Sequence, residues 1–374
     1  MQNIRPREYR FEEKSYTEQE LILFLENYPI QSVLELQRRL EQVGYFLNSL
    51  FTLKVLITER LRTTALMLSG EPGAGKTSLA IALSKAYNVP LYRLECYRGI
   101  TVEEALYRFN RKLQDIKLEL LFRKNPNPSA KEIKETIYDY DCIEFGPLGK
   151  AYTDDIDDCF ILINEIDKIP PEEGFEAVLL TYIDEYSFLI PELNIKIEAT
   201  KKRKKPPLII ITSNAGKDNS SAASNFLDEI YVISYPLQRR TTHLFLPVPG
   251  PSKLFTILRS RLKTLDNEII RQIIIYLYRV GASSFSYEKL PIVTKVTRWE
   301  KPPGTSEIID FALALEFLHE TYKHHAFPSH KLIPEFIAIC IEKIAKTLSD
   351  QRSLLSSLTD DIREVYKCKW TPTI

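Results

Sequence analysis

Gly70-Glu71-Pro72-Gly73-Ala74-Gly75-Lys76-Thr77 stands between a short apolar run, Ala65-Leu66-Met67-Leu68-Ser69, and a stretch rich in helix formers from Ser78 to Ala86. The octet fits the phosphate-loop spacing G-x-x-x-x-G-K-[ST], and its flanks read as the strand and helix that such a loop must join. Glycines let the backbone turn tightly enough to aim several N–H groups at phosphate oxygens, and the helix start adds about half a positive charge. Gly70, Glu71, Pro72, Gly73, Ala74, Gly75, Lys76, Thr77 and Ser78 are therefore expected to cradle a nucleoside triphosphate. In that cradle Lys76 would reach the β- and γ-phosphates, and the Thr77 hydroxyl would ligate Mg²⁺.

Outward from the loop, four more short apolar runs follow: Leu91 to Glu95, Phe160 to Ile163, Leu208 to Thr212 and His243 to Leu246. They alternate with helical patterns, as a parallel sheet covered on both faces requires. One helix is marked by Phe175, Val178, Leu179, Tyr182 and Ile183 at i, i+3, i+4, i+7 and i+8, after the start signal Pro170-Pro171-Glu172-Glu173. Residues 17 to 62 carry helical periodicity broken at Pro29 and Gly44, which predicts a helical lead-in. Beyond Pro247-Val248-Pro249-Gly250-Pro251 the strand signal stops. Helices are expected there over Ser252 to Thr264, Asn267 to Val280, Thr305 to Tyr322 and Ile333 to Leu348. The expected division is an N-terminal helical segment (1–42), an α/β nucleotide-binding core (43–250, with an insert at about 110–142) and a helical C-terminal part (251–374).

Composition sets outer limits. The 374 residues balance 50 Lys and Arg against 50 Asp and Glu, so no global charge draws the chain to nucleic acid, and a charge-driven partner must use a local patch. The run Lys201-Lys202-Arg203-Lys204-Lys205 is such a patch, suited to an acidic peptide or a phosphate backbone, or a solvated loop with no partner. The five cysteines are scattered without C-x-x-C spacing, which points away from zinc and disulfides and toward a reducing, cytoplasmic setting. No segment approaches the ~18 apolar residues that suggest a membrane span. His319, His324, His325 and His330 match no common metal-ligand spacing and read as surface histidines.

The chemistry around a γ-phosphate is expected at strand tips. Phe160-Ile161-Leu162-Ile163-Asn164-Glu165 is a buried run ending in two polar residues, and Glu165 is placed to act as the general base on water. Leu208-Ile209-Ile210-Ile211-Thr212-Ser213-Asn214 repeats the design, delivering Asn214 as a hydrogen-bonding group or as an ordinary strand-end turn residue.

Taken in order, GEPGAGKT, Leu94-Glu95-Cys96-Tyr97-Arg98-Gly99, Phe145 to Ala151 (FGPLGKA), ILINEID, Thr212-Ser213-Asn214 and Pro236 to Arg240 (PLQRR) give the chain a resemblance to MoxR-type AAA+ ATPases of the branch paired with von Willebrand A domain proteins. The resemblance covers about residues 40 to 320. It implies an AAA+ P-loop core with a parallel five-stranded sheet, an all-α lid, ATP and Mg²⁺ as ligands, a homo-oligomeric, hexameric ring, and a von Willebrand A domain partner. It makes Asn164-Glu165 the Walker B tip, with Asn164 on the metal, Asn214 the sensor that orients water, and Arg239 or Arg240 a finger inserted into the neighbouring subunit. Some relatives of this branch work on nucleic acid in restriction systems. The chain departs from the family at Asn164, where a carboxylate is usual, and in the lid, where only Arg298 and Lys301 stand near the position of a nucleotide-touching Arg. Slow hydrolysis with intact ATP binding is the expected consequence of Asn164.

Overall fold

Leu66 and Leu68 project from one side of the strand before the loop, Ala65 and Met67 from the other, and all four are buried. Period-two alternation with burial on both sides is the signature of a strand inside a covered parallel sheet. The computed structural model describes residues 17–170, 174–199, 205–214, 233–279, 303–323 and 331–368. Its strands are β1 (Ala65–Ser69), β2 (Leu91–Glu95), β3 (Tyr107–Phe109), β4 (Ile143–Phe145), β5 (Phe160–Asn164), β6 (Ser187–Ile190), β7 (Ile195–Glu198), β8 (Leu208–Ser213) and β9 (Thr241–Phe245). Five of them form one sheet in the order β2-β5-β8-β1-β9, and every pair in it is parallel. All five core strands foreseen from the apolar runs are present, with β9 starting two residues earlier than expected.

One face of the sheet, with Leu66, Leu68, Phe160, Leu162 and Ile210, packs on the helix Lys76–Tyr87 and on the lead-in helices Gln31–Gln42 and Ser49–Leu61, through residues such as Leu36, Leu40, Val55, Leu79 and Leu83. The other face, with Met67, Ile161, Ile163, Ile209 and Ile211, packs on helices Pro147–Thr153 and Phe175–Glu185 through Leu148, Tyr152, Leu179 and Tyr182. The insert is a β3–β4 hairpin carrying helices Arg111–Lys124 and Ala130–Ile137, neither of which buries a residue. That explains its charged sequence.

A separate apolar cluster, including Leu254, Leu258, Ile273, Phe311, Leu315, Phe336 and Ile362, joins the C-terminal helices. The single helix expected over Ile333 to Leu348 is instead Pro334–Cys340 followed by a 3₁₀ turn, Ile341–Lys343. A further helix, Leu348–Lys367, follows, capped by Thr347 Oγ1 accepting from Asp350 N at 3.0 Å. Its core stripe is Leu354, Leu358, Ile362 and Val365, sparse among charged residues but at helical spacing. No helix among the described residues is long and apolar enough to cross a membrane.

Candidate functional site

The carboxyl ends of β1, β5 and β8 lie side by side, so the residues at their tips share one crevice, which is where open α/β sheets bind ligands. From β1 the chain enters a loop whose Gly70, Gly73 and Gly75 have φ of +145°, +82° and +89°. At Gly70 a Cβ would stand 2.3 Å from the Leu246 carbonyl oxygen, and at Gly73 it would stand 2.5 Å from Gly304 Cα. These two glycines are thus required by close approach as well as by backbone angle.

Lys76 is buried, and its ammonium donates to the carbonyls of Gly70 at 2.8 Å and Glu71 at 2.9 Å. Burial lowers its pKa to about 8, against the opposing pull of Asp167, Glu165 and Glu71. A cation held in this way by carbonyls alone is set for an anion that adds charge compensation. Beside it the Thr77 hydroxyl donates to Asn164 Oδ1 at 2.8 Å, and Thr212 Oγ1 donates to the same oxygen at 2.9 Å. Asn164 Nδ2 in turn donates to Glu95 Oε2 at 2.8 Å, across the register pair that joins β2 to β5. The hydroxyl of Thr77 and the amide oxygen of Asn164 are hard oxygen donors of the kind Mg²⁺ takes, so the residues present fit that ion.

Glu165 follows at φ +58°, in the left-handed region that a non-glycine residue rarely occupies, and its N–H is received by Thr212 Oγ1 at 2.8 Å. This bond holds a strained backbone at the strand tip, and such strain gathers at functional sites. Its carboxylate pairs with Lys168 at 2.5 Å. Asn214, from the tip of β8, donates its N–H to Asp167 Oδ1 at 3.0 Å and its amide to Oδ2 at 3.4 Å. The structure therefore brings Lys76, Thr77, Asn164, Glu165 and Asn214 to one crevice.

That reading passed over Thr212, Asp167 and Glu95. Asp167 is almost wholly buried, and a carboxylate two residues beyond a strand-tip pair is a signal that was open to use. Cys96, next to Glu95, is pushed up to about 12 by burial and by the nearby Glu95, Asp167 and Glu165, so its thiol stays protonated.

Arg239 and Arg240 lie apart from this cluster, at the end of the short helix Tyr235–Gln238 that leads into β9. Arg240 Nε binds both Asp184 carboxylate oxygens, at 2.7 and 2.6 Å, and its Nη1 donates to Pro236 O at 3.0 Å. Arg239 is exposed, with its guanidinium 5.7 Å from the Tyr235 ring and no carboxylate partner among the described residues.

A second wall of the crevice comes from the C-terminal helices. Thr305 N, at the start of helix Thr305–Thr321, donates to Gly73 O at 3.3 Å. Between this contact and the lead-in lies a cleft lined by Tyr45, Phe46, Ser78, Lys253, Ile257 and Ile309. Tyr45 Oη donates to Gly75 O at 3.3 Å. Lys253 is open to the cleft but surrounded by protein on most sides, and this desolvation lowers its pKa. Arg298 and Lys301 lie outside the described residues, as do Lys201 to Lys204, His324, His325 and His330. His319 is half-buried against the Phe336 ring at 5.1 Å rather than on the surface.

Among known families, residues 65–229 match the AAA domain (dynein-related subfamily). No curated protein matches the chain. Of the solved structures, the Thermotoga maritima RuvB P216G mutant is similar at 12% identity and a TM-score of 0.42, over 83% of this chain and 76% of that one.

Proposed function

We propose that this chain, whose residues 65–229 match the AAA domain, is an ATP hydrolase that works as a ring and acts on a partner protein. The observation that carries the reading is the Lys76 ammonium, buried and bound, among the described residues, to the loop carbonyls of Gly70 and Glu71 alone, beside the Thr77–Asn164–Glu165 tip. The triphosphate replaces those carbonyls as the partner of Lys76, while the loop N–H groups donate to phosphate oxygens. Thr77 and Asn164 would hold Mg²⁺, which would supply charge neutralisation on the phosphate oxygens. Glu165 takes the proton of the attacking water once its carboxylate leaves Lys168, and Asn214, steadied by Asp167, orients that water. The nucleoside sits in the cleft of Tyr45, Phe46 and Ile257, where apolar walls remove it from water.

Arg239 is the finger that reaches the neighbouring subunit. Arg240 is committed to Asp184 within its own chain, whereas Arg239 stands exposed over Tyr235 and carries its charge outward. By the resemblance of the motifs, the ring has six subunits, the partner carries a von Willebrand A domain and the setting is the cytoplasm. Asn164 favours a second reading, in which slow turnover makes the ATP-bound ring itself the output, a switch rather than a motor.

Mixed rings test the arrangement. Arg239→Ala should keep ATP binding and lose turnover by ~10³-fold or more, with Arg240→Ala much milder. Adding Glu165→Gln chains to Arg239→Ala chains should restore part of the activity, because some sites then join an intact base to an intact finger. Absence of rescue in rings confirmed to be mixed would contradict a finger acting in trans.

A further inference from the structure

Asn164 is neutral where the metal-facing position calls for charge, yet a carboxylate lies one hydrogen bond behind it. Glu95 ends β2 and Asn164 ends β5, and the parallel register sets them as partners. Asn164 Nδ2 donates to Glu95 Oε2 at 2.8 Å, while Oδ1 of the same amide accepts from Thr77 and Thr212 at 2.8 and 2.9 Å. The bond to Glu95 has two effects. It fixes which end of the amide faces Thr77, since the NH₂ group is taken up by the carboxylate. It also polarises the amide, so that a hydrogen bond drawn toward an anion on one side leaves more negative charge on the oxygen at the other.

We propose that Glu95 and Asn164 together do the work of one acid: Asn164 presents the oxygen toward Thr77, and Glu95, from the adjacent strand, supplies the negative charge and the orientation. Glu95 is thus a positioning residue for the Mg²⁺ side of the site, and the proposal rests on the nucleotide-site reading above. The charge is a diluted one. Glu95 is half-exposed and is also bound by Arg93 Nε, so water and a cation both weaken its reach. The expected effect lies at the low end of the 10–100-fold that outer-shell groups give.

The test measures how much Mg²⁺ tightens binding of a non-hydrolysable ATP analogue, by calorimetry in Mg²⁺ and in chelator, on the full chain. Glu95→Gln keeps an acceptor for Asn164 and removes only the charge. It should lower the Mg²⁺ enhancement about 10-fold, leaving metal-free affinity within about twofold and the melting temperature unchanged. The exchange Glu95→Gln with Asn164→Asp should restore the enhancement to at least the parent value, since it moves the carboxylate to the tip itself. Asn164→Asp alone places two carboxylates in contact and should raise the pKa of one of them, visible as a Mg²⁺ enhancement that grows with pH. An enhancement unchanged within twofold in Glu95→Gln would overturn the proposal while leaving the nucleotide site intact. No analogue binding by the parent chain would remove the site reading and this proposal with it.

Discussion

Two buried cations sit at opposite ends of the same sheet, and they are treated in opposite ways. Arg62 lies at the amino ends of the strands, where its guanidinium meets Glu59 at 2.9 Å and Asp158 at 2.5 and 2.8 Å, and donates to Pro206 O at 2.7 Å. Burial would lower its pKa, but the bonds and charges of Asp158 and Glu59 outweigh burial and raise it. Lys76 lies at the carboxyl ends with carbonyls alone among the described residues, and burial brings its pKa down to about 8. A buried cation supplied with acids is part of the scaffold; one left with carbonyls waits for an anion. Lys205 reinforces the contrast. It is the one described residue of the basic run, and it joins the scaffold end, at 2.7 Å from Glu59 and 3.3 Å from Asp158.

The largest effect should come from the scaffold end. Arg62→Ala takes the buried cation from Glu59 and Asp158, leaving them the more exposed Lys205, and should cost about 3–5 kcal/mol of stability in chemical denaturation, while the fraction still folded binds ATP normally. A loss below about 1 kcal/mol would erase the distinction between the two ends. Gly73→Ala comes next, because it combines a φ of +82° with a Cβ 2.5 Å from Gly304 Cα. About 1–3 kcal/mol should be lost, read as weaker ATP binding and a lower melting temperature together. Parent-like behaviour would mean that the C-terminal helices do not close on the loop.

Lys76 makes a pH prediction of about tenfold. Only its protonated form pairs with a triphosphate, so ATP affinity should hold below pH 8 and fall by about tenfold per pH unit above it. The stability effect runs the other way. Its folded pKa of about 8 lies below the ordinary 10.5, so the unfolded chain binds the extra proton in that window and stability from this residue rises with pH across it. Calorimetry at pH 7 and 9 reads the first trend, and a flat affinity would contradict it. The smallest effect belongs to Arg240→Ala, which removes a partly exposed pair with Asp184 and should change stability by about 0–1 kcal/mol. A larger drop would show that the pair anchors the helix Tyr235–Gln238.

Much of this contrast was legible in the sequence at one end only. GEPGAGKT stands out because phosphate binding needs those residue types at fixed spacing, and Asn164, Glu165 and Asn214 stand out as polar residues that end apolar runs. Arg62 does not. Its partners Asp158 and Pro206 stand 96 and 144 residues away, and no local pattern ties them together. Glu95 and Thr212 escaped for a related reason: their roles depend on which strand lies beside β5, and apolar runs reveal strands without revealing their order. Helix Leu348–Lys367 escaped because the four core positions Leu354, Leu358, Ile362 and Val365 are a thin stripe in 20 residues, readable only against the core they complete.

In the function proposed above, Lys76 is buried for a triphosphate and not for the fold. Equilibrium titration of Mg·ATP into the parent chain and into Lys76→Ala, with melting temperatures recorded on the same samples, tests it most directly. Saturable binding by the parent, a loss of at least about 100-fold in the variant, and a melting temperature equal or higher in the variant are the expected results, since removing an uncompensated buried charge relieves desolvation. Equal ATP affinity in both folded proteins, or a variant that melts several degrees lower, would contradict the account.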